Sequence, residues 1–522
     1  MKESDDLFSL IKSLSPSEKR YFKIFASQSN KKEENNYVLL FDIIDRFNDH
    51  NYNEDILKYR LRKHSFVKQL HVTKNYLYNL ILRSLRNYYG DSSVESKLQE
   101  FLKSSDILYK KNLHQQSYKT LLKAEKYALE NEKYLYLLEI YAHIEKQLVH
   151  LFVNTNEITS VLSEMEYKRR EIQKYIFNSN EYTNLWNKLY SLVKNTDLQL
   201  RYDDTKVQLN EIISNPLLSN IDKALTFHSK RYFYMIYSIY YMFAVDMKKI
   251  YEYNKAFLGL YTIFPNRIED DLRYYIAALC NFNLYCIYLN KDDEWQDSLD
   301  KLKHILITYN HVVGDKRKLD IKAWCLRLEM TYYSLRKKYK ENEKLIAKNE
   351  SLIQEINLLQ NKEHPICITY FVAYHSFIMG DLKKSLQMVN EIINVYHEDS
   401  HPQIQSLARM LKLILYFELG HFDMLSYIIK SNYRFLRKKK RLCAIENVIL
   451  NSLLSLPNIT SKTEMTHFFV LLKENLLPLT LDIYEQRLFD LLDLISWADS
   501  KINNISFEKA LEAAGPYYQI YT

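Results

Sequence analysis

The chain has 522 residues, 47% hydrophobic and 26% charged, with only 6 Gly and 8 Pro. About 12% Gly plus Pro is ordinary, so this shortage of turn formers argues against β and α/β architectures, and the apolar share argues against disorder. An all-α fold is expected. No two glycines lie closer than Gly380 and Gly420, which excludes the standard G-x-G-x-x-G and G-x-x-x-x-G-K-[ST] phosphate loops. Lys and Arg number 72 against 64 Asp and Glu, a net charge of +8. Residues 58–90 contain eight cations (Lys58, Arg60, Arg62, Lys63, Lys68, Lys74, Arg83, Arg86) and no acid, so the rest of the chain sums to zero. A local surplus of this kind suits a polyanion.

In chain order, Met1-Lys-Glu-Ser-Asp-Asp puts acids where a secretory signal carries bases, and an amphipathic stretch follows. A cytoplasmic location is expected. The five cysteines (Cys280, Cys286, Cys325, Cys367, Cys443) form no C-x-x-C pair and read as buried thiols in a reducing compartment. Residues 1–90 are expected to form a basic helical domain, bounded by the loop-like Gly90-Asp91-Ser92-Ser93. Within it, residues 64–88 resemble a helix-turn-helix: a first helix ending near Leu70, Val72 packed inside the turn, Thr73 capping the second helix, and Leu77 and Ile81 facing the first. The resemblance implies a nucleic-acid surface of Lys68, Lys74, Asn75, Tyr78 and Asn79, with Arg83 and Arg86 on phosphates. The glycine usual in that turn is missing. The structural alternative is that Tyr76, Leu77, Leu80, Ile81, Leu85 and Tyr88 form an apolar stripe packed on the first repeat, leaving the cations solvated.

From residue 95 to 503 amphipathic segments alternate with short breaks. Pro216, Pro265, Pro365, Pro402, Pro457 and Pro478 fall between them, where a missing N–H does least harm. A bulky, small, bulky pattern recurs across paired segments: Phe282, Cys286, Leu289 with Trp295, Ser298, Leu302; Tyr240, Ala244, Met247 with Tyr253, Ala256, Leu260; Thr369, Ala373, Ser376 with Ser385, Val389, Ile392; and Phe101, Ser105, Leu108 with Ser117, Leu121, Ala124. Degenerate units follow at Leu326, Met330, Tyr333 with Tyr339, Asn342, Ile346, and at Gly420-His421-Phe422 with Leu425 and Ile429. Small residues let two helices approach while bulky ones fill the groove. The pattern resembles the tetratricopeptide (TPR) family, and the resemblance implies a right-handed α–α superhelix, a TPR-like solenoid, behind the N-terminal helical domain. The small position recurs at Ala256, Ser298, Asn342, Ser385 and Leu425, in steps of 42, 44, 43 and 40 residues. These exceed the family's spacing of about 34. The interval between Ser117 and Ala256 leaves room for three further spacings of about 46 residues, so some eight to ten hairpins are expected. Residues 504–522, with a short helix at 507–514 before Gly515-Pro516, read as a C-terminal cap.

Residues 232–245 and 274–290 are uncharged, but both are shorter than the roughly 20 residues of a membrane span, and no membrane association is expected. His397-Glu398-Asp399-Ser400-His401 spells H-E-x-x-H, yet Pro402 follows at once and the run falls at a repeat junction, so a zinc site is not expected. Glu269-Asp270-Asp271 and Asp292-Asp293-Glu294 precede helices, where acids suit the dipole, and the basic run from Arg434 to Arg441 suits a helix C-terminus. Tyrosine, at 45 residues, is far above its ordinary share. Tyr buries large area at low entropic cost and keeps a hydroxyl, so a Tyr-lined face suits a peptide or partner helix; Tyr234, Tyr237, Tyr241, Tyr274 and Tyr285 are the candidates. The expected function is a non-enzymatic protein- or peptide-binding scaffold, without cofactor or metal. The alternative is a nucleic-acid-binding regulator whose residues 58–90 touch the nucleic acid and whose array senses a partner. The Lys, Asn, Ile and Tyr content also resembles that of helical-repeat proteins from AT-rich Bacteroidota.

Overall fold

A computed structural model describes residues 6–27, 34–47, 52–90, 93–151, 155–195, 202–359, 362–397, 401–438, 443–454, 461–482 and 485–514. These residues form α-helices joined by short turns and 3-10 segments, with no strand among them. The chain divides into two compact units, Met1–Gln173 and Lys174–Thr522, and the expected boundary at Gly90 falls inside the first.

In the first unit, helices Asp6–Ser13, Pro16–Ser27, Glu34–Asp45, Glu54–Leu61 and Leu70–Tyr88 enclose a core of Leu7, Ile11, Phe22, Phe41, Ile44, Leu57, Leu61, Leu77 and Ile81. Pro16 opens its helix at the first position, where its missing N–H costs nothing. The Leu77 and Ile81 stripe therefore packs on the helices that precede it rather than on a following repeat. Helices Val94–Lys110, His114–Glu130 and Tyr134–Leu151 then pack in succession. The Ser105 and Ser117 hydroxyls lie 2.8 Å apart where the first two approach, and Gln147 Nε2 donates to Ser117 Oγ at 2.8 Å. Small polar residues thus allow a close crossing and satisfy one another.

Among the described residues between Ser117 and Ala256 the evenly spaced hairpins expected there give way to a single helix, Thr155–Asn195, which occupies 41 residues of that interval. Its sequence holds no Gly or Pro, so nothing in it interrupts the backbone ladder.

In the second unit antiparallel pairs follow one another: Phe227–Phe243 with Met247–Ile263, Leu272–Tyr288 with Asp292–Thr308, Asp315–Leu335 with Tyr339–Lys348, Glu363–Ile378 with Leu382–Val395, and Pro402–Glu418 with Phe422–Lys438. One turn joins every pair. A residue with positive φ ends the first helix at Val245, Asn290, Lys337, Gly380 and Gly420, as also at Asn112, Glu132 and Asn504. The next N–H then donates to the carbonyl five residues back, as Lys291 to Cys286 and Asp381 to Ser376, both at 2.9 Å. This is the Schellman closure of a helix C-terminus. The five turn positions step by 45, 47, 43 and 40 residues. Measured from them, Asn342, Ser385 and Leu425 occupy equivalent places, whereas Ser298 and Ala256 lie one and two helical turns further on; the register expected for those two units is corrected accordingly. The polar contact moves with it, because Asn283 Nδ2 donates to Ser298 Oγ at 2.8 Å and Asn254 is the buried small-polar residue of its helix.

Pro216, Pro265 and Pro402 open their segments, Pro365 sits in the first turn of its helix and Pro478 in a 3-10 segment; Pro457 lies outside the described residues. Helix Glu363–Ile378 is buried from His364 to Ile378, with core on both sides. The end of the unit folds back on it. Tyr370 Oη donates to Leu491 O at 2.9 Å, Tyr374 Oη accepts from Asp493 N at 3.1 Å, and Phe507 of the last described helix, Phe507–Ala513, packs tilted against Phe377 with ring centres 4.9 Å apart. Lys337 Nζ donates to the carbonyls of Leu511 and Ala514, neutralising that helix C-terminus. Gly515 and Pro516 lie outside the described residues. Among the described residues no helix is long and apolar enough to cross a membrane.

Candidate functional site

The acid-free segment 58–90 folds as the end of helix Glu54–Leu61, a 3-10 turn at Ser65–Gln69, and helix Leu70–Tyr88. The helix-turn-helix break expected at 71–73 is absent. Thr73 is inside the helix, its hydroxyl donating to Gln69 O at 3.1 Å, and Val72 is 62% exposed rather than packed in a turn. With no glycine between residues 64 and 88, nothing halts the helix there, and counting 100° per residue from Leu70 places Val72 opposite Leu77 and Ile81.

The same geometry divides the candidate nucleic-acid residues. Val72, Asn75, Asn79, Arg83 and Arg86 share one exposed stripe, and Lys68 is exposed in the 3-10 turn. Lys74 and Tyr78 lie on the flank: Tyr78 packs against the core, and Lys74 Nζ reaches Glu54 Oε2 at 3.0 Å. That hydrogen bond holds the Glu54 carboxyl below its ordinary range, while burial pulls Lys74 down and Glu54 and Tyr52 together outweigh it, keeping the ammonium above its own. Glu54 also pairs with Lys58 at 3.4 Å. Two of the eight cations thus share one carboxylate, which cancels one unit of their charge. Arg60 and Arg62 lie over the rings of Phe47 and Tyr59, at 4.3 and 4.1 Å.

The tyrosine candidates fall into separate places. Tyr234, Tyr237 and Tyr241, one face of helix Phe227–Phe243, join Tyr253 of the next helix in an aromatic ladder with centroids 4.7–6.3 Å apart. Tyr237 Oη donates to Leu218 O at 2.7 Å, and burial followed by the neighbouring Tyr241 and Tyr237 pushes the Tyr253 phenol up to about 12. Tyr274 is covered by the Arg231 guanidinium, 3.8 Å from its ring centre. Tyr285 lies a helix away from the ladder, on Leu272–Tyr288. All five are half-buried.

Elsewhere, tyrosine hydroxyls close connections between helices, as Tyr182 to Leu217 O at 2.6 Å and Tyr332 to Asp292 at 3.1 Å. Arg231 itself is 5% exposed and anchors a buried network: Nη1 pairs with Asp271, Nη2 lies 3.0 Å from His228 Nδ1, and Tyr261 Oη donates to Asp271 at 2.7 Å. Burial, then Arg231, pushes His228 down to about 4, so it stays neutral. Sequence reading missed this network, whose members are scattered over 44 residues from His228 to Asp271.

The H-E-x-x-H run is no helical pair. His397 follows the end of helix Leu382–Val395, His401 caps helix Pro402–Glu418 through Nδ1, and residues 398–400 lie outside the described residues. Burial, then Arg327, pushes His401 down to about 4. Among the described residues no three His, Cys, Asp or Glu side chains are grouped to hold a metal. Asp292, Asp293 and Glu294 form the first turn of their helix, as expected for dipole-stabilised acids. Arg434 and Arg437 are exposed near the end of helix Phe422–Lys438, and residues 439–442 lie outside the described residues. No family model, curated protein or solved structure matches the chain.

Proposed function

We propose that this protein is a non-enzymatic, cytoplasmic binding scaffold whose helical hairpins form a TPR-like, right-handed superhelix for a protein or peptide partner, without a cofactor. The observation that carries this reading is the recurrence of one hairpin turn at Val245, Asn290, Lys337, Gly380 and Gly420, which gives successive helix pairs the same local geometry. Stacked pairs of this kind bury their faces only against neighbours and leave extended surfaces for binding. The half-buried ladder of Tyr234, Tyr237 and Tyr241 supplies rigid aromatic area beside hydroxyls, the chemistry peptide recognition uses. Peptide display against the full chain tests it. The expected result is an enriched peptide family whose affinity falls at least about tenfold in a folded Tyr241→Ala variant. Failure to enrich any family, or binding unchanged by substitution at all five tyrosines, would refute it.

A second reading, a nucleic-acid-binding regulator, is favoured by the exposed cations of residues 58–90 that remain after Lys58 and Lys74 have paired with Glu54. Binding of the full chain to duplex DNA over a salt series tests it, since neutralising several phosphates makes affinity fall steeply with salt.

A further inference from the structure

We infer that helix Leu70–Tyr88 is a reading helix for double-stranded DNA, with Asn75 and Asn79 recognising an adenine in the major groove and Val72 meeting a neighbouring thymine methyl. The inference rests on the nucleic-acid reading above and specifies its ligand and its reading residues.

Four observations carry it. First, the helix has 19 residues, about 28 Å of straight rod, and its outer stripe from Val72 to Arg86 is unobstructed, a shape the major groove admits. Second, charge and reading groups are segregated along that stripe. Lys68 precedes the helix, Arg83 and Arg86 lie near its end, and the uncharged Val72, Asn75 and Asn79 lie between them, with the half-exposed Tyr76 at the edge of the line stacked on Tyr37. Cations at both ends of an uncharged middle match a duplex groove, in which phosphates flank the base edges.

Third, the two asparagines are paired: Asn79 Nδ2 donates to Asn75 O at 2.9 Å and to Asn75 Oδ1 at 3.3 Å. This leaves the Asn75 amide N–H groups to donate and Asn79 Oδ1 to accept. Adenine offers the complement on its major-groove edge, an acceptor at N7 and a donor at N6. Fourth, Val72 is 62% exposed at a position where folding of the chain gains nothing from an apolar side chain, one helical turn before Asn75. A thymine methyl is the apolar feature of that groove. Lys74 and Tyr78 take no part, since the core and Glu54 already hold them.

The test uses the full chain and a randomised pool of duplexes about 30 base pairs long, selected at about 50 mM salt and then measured by fluorescence anisotropy. The expected outcome is an enriched duplex containing an A·T step. On it, Asn75→Ala and Asn79→Ala each weaken binding about 5- to 100-fold while changing affinity for random duplex less than about twofold. Arg83→Ala and Arg86→Ala weaken binding to both duplexes and each flatten the slope of log K against log salt by about 0.9. All four side chains are exposed, and far-UV circular dichroism of each variant confirms that the helix persists. A pool that binds without sequence preference, or asparagine variants that bind the selected duplex like the parent, overturns the inference while the polyanion reading stands. A preference for single strands or RNA hairpins over every duplex also overturns it. No binding at low salt overturns both and leaves the scaffold reading untouched.

Discussion

Replacing Glu446 by Gln is expected to stabilise the second unit above neutral pH and to leave it nearly unchanged in mild acid. Glu446 is 2% exposed, and among the described residues no cation acts on its carboxyl. It accepts from Ser406 Oγ and from Cys443 N, while Glu485, itself buried, caps the same helix start by accepting from Ala444 N and Ile445 N at 2.8 and 3.1 Å. Burial pushes the Glu446 carboxyl up to about 7; the two hydrogen bonds oppose that rise and Glu485 adds to it. Because the folded pKa lies above the unfolded value of 4.5, the folded state holds the proton more tightly. Stability is then full below about pH 4.5 and falls as the pH rises toward 7, by about 3 kcal/mol in all. Gln has no proton to lose and can keep both contacts, accepting from Cys443 N and donating to Ser406 Oγ. For a unit the size of Lys174–Thr522, with an unfolding entropy of roughly 0.7 kcal/mol/K, the difference is about 4 °C in Tm. The assay is differential scanning calorimetry of both proteins at pH 4.5 and 8.5. His228 and His401, both held near 4, change wild-type stability in the opposite sense, since their neutral folded forms lose stability as the pH falls below 6.5. Subtracting one protein from the other removes that contribution. A wild-type-minus-variant shift that differs by less than about 1 °C between the two pH values would refute the reasoning.

Asp271→Ala leaves the Arg231 guanidinium buried without its carboxylate and is expected to cost about 3–5 kcal/mol by denaturant titration, whereas an Arg231→Met/Asp271→Leu pair should recover most of the loss. Gly380→Ala should destabilise by about 1–2 kcal/mol, because φ is +83° and nothing lies within 4 Å of the added methyl, so the cost is wholly backbone. Gly259→Ala, mid-helix and equally unobstructed, should stabilise by about 0.5–1 kcal/mol in the same titration; equal signs for the two would contradict the turn assignment. Glu54→Gln releases Lys58 and Lys74 and should steepen the salt dependence of DNA binding by about one to two counterions, read from the anisotropy slope.

Much of the helical pattern was legible because apolar spacing and proline placement are local. Pro216, Pro265 and Pro402 sit at the segment starts their chemistry favours. The turns were harder to read. A positive φ advertises itself through glycine, and only Gly380 and Gly420 among the eight turn residues carry that sign; Val245 and Lys337 give none. Register was therefore taken from small residues, which drift by a helical turn between units. At the candidate DNA surface the residue types were legible and their division was not, because Glu54, twenty residues before Lys74, decides which cations remain unpaired.

The sequence by itself determined helicity, through the scarcity of turn formers, the cationic bias of residues 58–90 and the absence of phosphate-loop glycines, since each follows from composition or from spacing within a few residues. Only the tertiary structure decided that residues 70–88 form one unbroken helix, that Thr155–Asn195 replaces the expected hairpins, and that Arg231, Asp271, His228 and Tyr261 share one buried network. A helix ends, or a charge is buried, according to what packs against it, and those partners lie tens of residues away along the chain.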